Sequence, residues 1–387
     1  MINGNMDLLG VPWEVIVKDF RTENHSKVGT LKQWLDDLIG FASTHKACNP
    51  ISEQQHVQAI AWDEFETIKR QVSSQIIRSG QQNPNVEQII AETAKAKAKF
   101  YVDAKRAAQL KGITRLQIMD MHGPLLDQII DDRFSPVAVS NTTKRVLKRV
   151  VAAALLSSEL SIYSTGLIVA GYGDGDMFPS LATGEVDGAV LQHLKFVPGE
   201  HVVVDRVSNR GRVISFAQTD VVERLLSGAD ARFVQRSAEY FGEALERVRA
   251  SVTEALTQLG GAPDVAGSVF GEIVAAVRDE YKTKFAKDVA EGFQREFNEM
   301  IALMPKQDII ELAEALVSIT SIERKASSEQ ATVGGPVDVA FITRHEGFVW
   351  IKRKHYFDPA LNPRFFWRKF GNVGSSGGMG YGPSEPA

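Results

Sequence analysis

One cysteine in 387 residues, Cys48, excludes an intramolecular disulfide framework and a zinc site built from several thiolates. It lies in a polar loop, KACNPIS, and reads as a bystander thiol in a reducing compartment. Long apolar runs are missing too. The longest, Val150 to Leu156, is about seven residues and holds three alanines, against the roughly 20 needed to span a bilayer. The chain does not open on the basic-then-apolar pattern of a secretory signal. The expectation is a cytoplasmic protein with no membrane partner. Charge of one sign is also lacking. A formal −4 on a chain with 24% charged residues argues against bulk nucleic-acid binding and against an acidic tail. No HExxH, HxH or Gly-Lys-Ser/Thr motif occurs. The eight histidines form no ligand pattern: His193 and His201, and His345 and His355, stand apart as solvated or structural residues. No metal and no cofactor is expected, and no catalytic residue can be assigned.

What is present is a stretch of strands and turns, Ser161 to Thr219, inside a chain dominated by helical patterns. Leu167 to Ala170 is a short apolar run between Gly166 and Gly171, the pattern of a strand buried on both faces. Val186, Val190, Leu194 and Phe196 suggest a second strand ending at a Pro198-Gly199 turn. His201 to Val207 and Arg212 to Ala217 suggest two more, joined by Asn209-Arg210-Gly211. The glycine loop Gly171 to Asp176 could be a phosphate cradle or a calcium loop. A strand follows it instead of a helix, and no bidentate Glu stands at loop spacing, so it reads as a turn at the sheet end.

Before this stretch, helical periodicity covers Trp13 to Phe20, Leu31 to Phe41 with Thr30 as cap, Glu53 to Arg78, Val86 to Leu110, Ile113 to Asp132 and Thr143 to Ser157. The Ala/Lys-rich piece ETAKAKAKFYVDAKRAAQL reads as a partly exposed arm, and Gly123-Pro124 as a break or kink. After it come long helical patterns over Asp220 to Leu259 and Val265 to Met304, then a helix at Ile309 to Thr320. A hairpin follows, PVDVAFI and FVWI around His345-Glu346-Gly347. Residues 371–387 are rich in Gly and Ser and read as a disordered tail.

Near the C-terminus, Lys352, Arg353, Lys354, Arg364, Arg368 and Lys369 interleave with aromatics. That composition could contact a nucleic-acid strand by charge and stacking. The favoured reading is an extended segment whose rings pack on the body while its charges stay in water.

Two stretches together resemble one family. TGLIVAGYG followed by FPSL, and DIIELAEALVSIT followed by TVGGP, VDVAFI and FVWI, are similar to proteasome-type subunits of the N-terminal-nucleophile hydrolase fold. MINGNMDLLG resembles the strand and turn before that fold's first helix. The resemblance implies an α+β protein with antiparallel sheets between helical layers. It implies one domain over 1–370, with helical insertions at about 53–110 and 233–304. It also implies a homo-oligomer, peptidase or amidase ancestry and a peptide substrate. In that family the nucleophile is the first residue after processing, usually Thr, helped by a Lys and a carboxylate on the opening hairpin. No residues matching that hairpin are found, and internal processing is not expected: Gly29-Thr30 is followed by a helical pattern, Thr165 is preceded by Ser164 instead of Gly, and Thr332 is too near the end to leave a domain. The chain is therefore expected to be inactive as written. The alternative expectation is a non-enzymatic oligomeric scaffold, or a nucleic-acid-binding protein using segment 350–369.

Overall fold

The computed structural model describes the chain except residues 1, 5, 24–27, 81–82, 206, 208–209, 217–218, 229–230, 261–262, 327–336, 354–356 and 371–387. Lys354, Thr332 and the Gly/Ser-rich tail lie outside the described residues. The protein is α+β, with small antiparallel sheets among many helices. The fold divides into two compact units, Met1–Thr219 and Asp220–Ala387.

Unit 1 begins with three short strands, β1 (Ile2–Gly4), β2 (Asp7–Leu8) and β3 (Val11–Pro12). Helices α1 (Trp13–Glu23) and α2 (Leu31–Thr44) follow, the second capped by the Thr30 hydroxyl, which accepts from Gln33 N–H. Next come α3 (Pro50–Ser79), α4 (Val86–Asp103), α5 (Arg115–Phe134) and α6 (Asn141–Leu156). Asn49 caps α3 with Pro50 at its first position, so that helix starts three residues before the expected Glu53. A capping box between Thr114 and Gln117 opens α5, which runs on through Pro124.

These four helices share the largest core, built on Val57, Phe65, Ile68, Ile90, Leu126 and Val150. Helix α4, expected as a partly exposed arm and not as core, leaves Phe100 and Val102 exposed but buries Ile90, Thr93 and Ala94. Its alanines are the reason: small side chains let α4 lie close along α6.

The sheet comprises β4 (Thr165–Gly171), β5 (Ser180–Val190) and β6 (His193–Val203), in the order β1-β4-β5-β6 and antiparallel throughout. The interior strand β4 matches the expected Leu167 to Ala170. Helices α1 and α2 cover the face carrying Leu167, Ala182, Val186, Leu194 and Phe196.

Three expectations are corrected here. Pro198-Gly199 is not a turn but lies inside β6, with Pro198 opposite Gly184 and a bulge after it. His201 starts no new strand; it continues β6. Arg212 to Phe216 forms no strand, and Ala217 is outside the described residues. The true turn is Leu191-Gln192, between the paired Val190 and His193. Both residues have positive φ, 49° and 62°, the conformation of a two-residue hairpin turn. Neither is Gly, Asn or Asp, so composition did not mark it.

Unit 2 holds α7 (Asp220–Ser227), α8 (Ala231–Gln258), α9 (Pro263–Glu280), α10 (Ala286–Leu303) and α11 (Lys306–Ala326). The two long helical patterns are each divided, the first after Ser227 at Gly228 (φ 66°) and the second by a π turn at Tyr281–Phe285. The expected second hairpin is β7 (Val339–Thr343) with β8 (Gly347–Lys352). The final basic and aromatic segment, expected to be extended, closes in a helix, α12 (Pro363–Phe370).

Candidate functional site

The densest set of buried polar groups sits where β5 bulges. Val186 pairs with Phe196 and Ala189 with Leu194, so Asp187 and Gly188 together oppose the single residue Lys195. Such a bulge re-aims a side chain, and here it sets a carboxylate against an ammonium, each only 1–2% exposed. Lys195 Nζ donates to Asp187 Oδ2 at 2.9 Å, to Ala154 O at 3.1 Å and to Glu159 O at 2.6 Å. That uses all three N–H groups of an ammonium. Asp187 also accepts from Ser161 N–H at 3.0 Å and from Ser161 Oγ at 2.5 Å. Burial alone would raise the Asp187 carboxyl. The Lys195 charge and the Ser161 hydroxyl outweigh it and hold the group below the usual carboxylate range.

His56, on α3, lies with its ring against Gly188. A Cβ there would stand 2.4 Å from His56 Nε2, and the Gly188 φ is +68°, so both space and backbone call for glycine. His56 is buried, and its Nε2 has no hydrogen-bond partner. Burial holds the imidazole below its ordinary range; Asp187 and Glu53 pull it up and Lys195 pushes it down.

One turn earlier on α3, the buried Glu53 accepts from Leu191 N–H at 2.8 Å, Gln192 N–H at 3.0 Å and His122 Nε2 at 3.0 Å. Burial pushes this carboxyl up, but the hydrogen bonds from His122 and the turn bring it down overall. Glu53 thus satisfies the two N–H groups of the left-handed turn and pins the hairpin to α3 and α5.

The bulge stands between two cavities. One, of about 160 Å³, is lined by Asp7, Gln55, His56, Tyr163, Thr165 and Gly188. The other, of about 130 Å³, is lined by Glu64, Lys97, Tyr101, Ser161, Asp187 and Lys195.

Chemically, the cluster holds serine, histidine, aspartate and lysine but is not wired for attack on a carbonyl. Ser161 Oγ donates its hydrogen bond to a carboxylate held below its usual range, a poor base. Lys195 has no lone pair left to act as base. Thr165 Oγ1 donates to Asp7 O at 3.4 Å. The Cys48 thiol donates to Ala42 O, and burial, with the Glu53 charge, pushes its pKa up to about 11. Outside the cluster, Ser164 Oγ donates to Glu185 Oε2 at 2.9 Å, and among the described residues no group of three or more His, Cys, Asp or Glu could hold a metal.

The glycine loop is a cap rather than a cradle. Asp176 Oδ2 accepts from Leu31 N–H at 3.1 Å and Gly173 N–H at 2.8 Å, while Asp174 and Gly175 N–H groups bond Val28 O and Gly29 O. The loop therefore closes over the start of α2.

The structure places the basic residues singled out in the sequence on two elements. Lys352, ending β8, donates to Glu314 at 2.5 Å, and the Arg353 guanidinium lies 5.0 Å from the Trp350 ring centre. Arg364, Arg368 and Lys369 are on α12. Sequence reasoning missed Glu53, His56, His122, Ser161, Asp187 and Lys195. The available signal was two opposite charges, Asp187 and Lys195, each next to apolar residues of its strand.

The fold and this cluster define an α+β protein with a buried ionic centre at a sheet bulge. No protein-family model matches the chain, and no curated protein or solved structure matches it either. Among the described residues no helix is long and apolar enough to cross a membrane.

Proposed function

We propose that Met1–Thr219 is a proteasome-like scaffold of the N-terminal-nucleophile hydrolase type, of peptidase or amidase ancestry, which assembles with further copies of itself and hydrolyses nothing with its described residues. The one-sided dressing of the sheet carries this reading. Helices α1 and α2 pack on one face. The opposite face presents Ile168 and Ala170 across from Thr183 and Leu181, with Ile168 buried, Leu181 and Thr183 half-buried and Ala170 exposed. A sheet with helices on one side and a partly covered apolar face on the other is how one half of a sheet sandwich between helical layers is built. The occupied state of Ser161, Thr165, Cys48 and Lys195 supports the non-hydrolytic part.

The test uses the full chain with a peptide panel and a covalent threonine-directed probe. No turnover and no labelling are expected; labelling of any side chain of the chain sinks the non-hydrolytic reading. In sedimentation, a mass above the 42.6 kDa of one chain is expected. Leu181→Arg, on that partly covered face, is expected to return it to single chains. A wild-type protein that sediments as one chain overturns the assembly.

A further inference from the structure

We propose that the cavity lined by Asp7, His56 and Gly188 binds a small organic ammonium ion, a primary amine in its protonated form. A side chain at position 188 would stand 2.4 Å from His56 Nε2, so the glycine leaves open the space beside that nitrogen. Nε2 is the buried ring atom with no hydrogen-bond partner. The ring is already hydrogen-bonded to the Asp187 backbone, and burial keeps it neutral, which leaves Nε2 as an acceptor. A buried acceptor without a donor is costly, and a ligand that donates to it recovers that cost. Asp7, on β2, lines the same cavity. Its Oδ1 accepts from Gly10 N–H at 2.8 Å, and a carboxylate keeps further lone pairs for a second donor.

Size and charge select the ligand class. The volume is about 160 Å³. That is roughly ten times what one water needs, yet below the roughly 300 Å³ at which sites for drug-sized ligands begin. The occupant is therefore a molecule of a few heavy atoms. Among the described residues of the wall, Asp7 is the charged one, and none is a lysine or arginine. A phosphate or carboxylate would meet no cation there and would be repelled by Asp7. A metal ion would find His56 and Asp7 but no third His, Cys, Asp or Glu. A neutral polyol could bond Gln55 and Tyr163 but would leave the Asp7 charge uncompensated. An ammonium group brings the opposite charge and three N–H donors, enough for Asp7 and His56 together.

The test is calorimetric titration of the full chain with ethanolamine at neutral pH, beside ethylene glycol as the uncharged counterpart. Saturable binding of one ethanolamine per chain is expected, at least tenfold tighter than any binding of the glycol. The His56 Nε2 nitrogen resonance, assigned by its loss in His56→Gln, is expected to move in step with the heat. Asp7→Asn is expected to weaken ethanolamine by about tenfold. Its thermal unfolding should match wild type, because the amide oxygen can still accept from Gly10 N–H. No saturable binding, equal affinity for the glycol, or unchanged affinity in Asp7→Asn each overturns the proposal. So does an Nε2 resonance that stays still at saturation, which would place the amine elsewhere; that measurement and the glycol comparison use the wild-type chain and decide the matter even if Asp7→Asn unfolds.

Discussion

The two units solve the problem of burying polar groups in opposite ways. Unit 1 draws its charges inside and satisfies them: Lys195 has three acceptors, Asp187 three donated hydrogens, Glu53 three more. It also holds most of the buried apolar side chains of the chain. Unit 2 keeps its charges at the surface. Arg324 pairs with Asp220 at 2.5 Å, Arg224 with Glu323, and Lys352 with Glu314. Its buried apolar set is thin, including Val221, Val222, Leu226, Ile301, Ile310 and Leu316, while Phe233, Tyr240, Phe293 and Trp350 are exposed. A buried ion pair does little for net stability when intact but costs much when half removed; a surface pair costs little either way. The two units should therefore answer the same kind of mutation very differently.

The largest effect is expected at Lys195. Lys195→Met leaves Asp187 buried without its cation and frees the carbonyls of Ala154 and Glu159. A loss of about 3–5 kcal/mol is expected. Denaturant unfolding followed on unit 1 reads it directly. Asp187→Leu combined with Lys195→Met should recover much of that loss, because no lone charge remains. A double variant as unstable as the single would mean that the pairing is not what the bulge rests on.

Gly188→Ala comes next. The added methyl meets the His56 ring, and the left-handed backbone disfavours any side chain. Overpacking and backbone cost together should destabilise unit 1 by roughly 2–4 kcal/mol. If the variant melts with wild type, the His56 ring has room to move and the bulge is looser than the geometry implies.

Acid should separate the units further. Folding lowers the His56, Asp187 and Glu53 affinities for protons. For each, the unfolded state binds protons more readily, so stability rises with pH across the interval between the folded and unfolded values. The His56 contribution is complete above about pH 6.5 and is lost as pH falls below it; the carboxylate contributions are lost below about pH 4. Unit 1 should lose stability first on titration from neutral to acid, and His56→Gln should flatten its response near pH 6. An unchanged profile in that variant would assign the acid sensitivity elsewhere.

How far these sites were legible follows from what sequence patterns encode. The caps of α2 and the interior strand β4 were readable, since Thr30 and the run LIVA between glycines state their roles locally. The buried cluster was not. Glu53, Ser161 and Asp187 are far apart in the chain, and only the bulge brings the last of them against Lys195. The hairpin turn was misplaced because Leu191 and Gln192 are poor left-handed residues, and the clamp that holds them, Glu53, lies 138 residues away from Leu191. Local preference was overruled by a long-range hydrogen bond. That suggests a correction of modest size: Gln192 is exposed with φ 62°, and Gln192→Gly should stabilise unit 1 by about 1 kcal/mol.

The smallest effect is expected in unit 2, and it is the counterpart of the first. Lys352→Gln removes one partner of a short ion pair with Glu314, 2.5 Å long but half-exposed at the lysine. Water can solvate the carboxylate left behind, and freeing the long side chain returns entropy, so the change should stay within about 0.5 kcal/mol. Lys195→Met and Lys352→Gln delete the same charge from pairs of similar length. If both cost several kcal/mol, the hairpin β7–β8 is far less solvated than its exposure indicates, and the contrast between the units fails. If neither does, water reaches the bulge, and Asp187 is not a buried charge in solution.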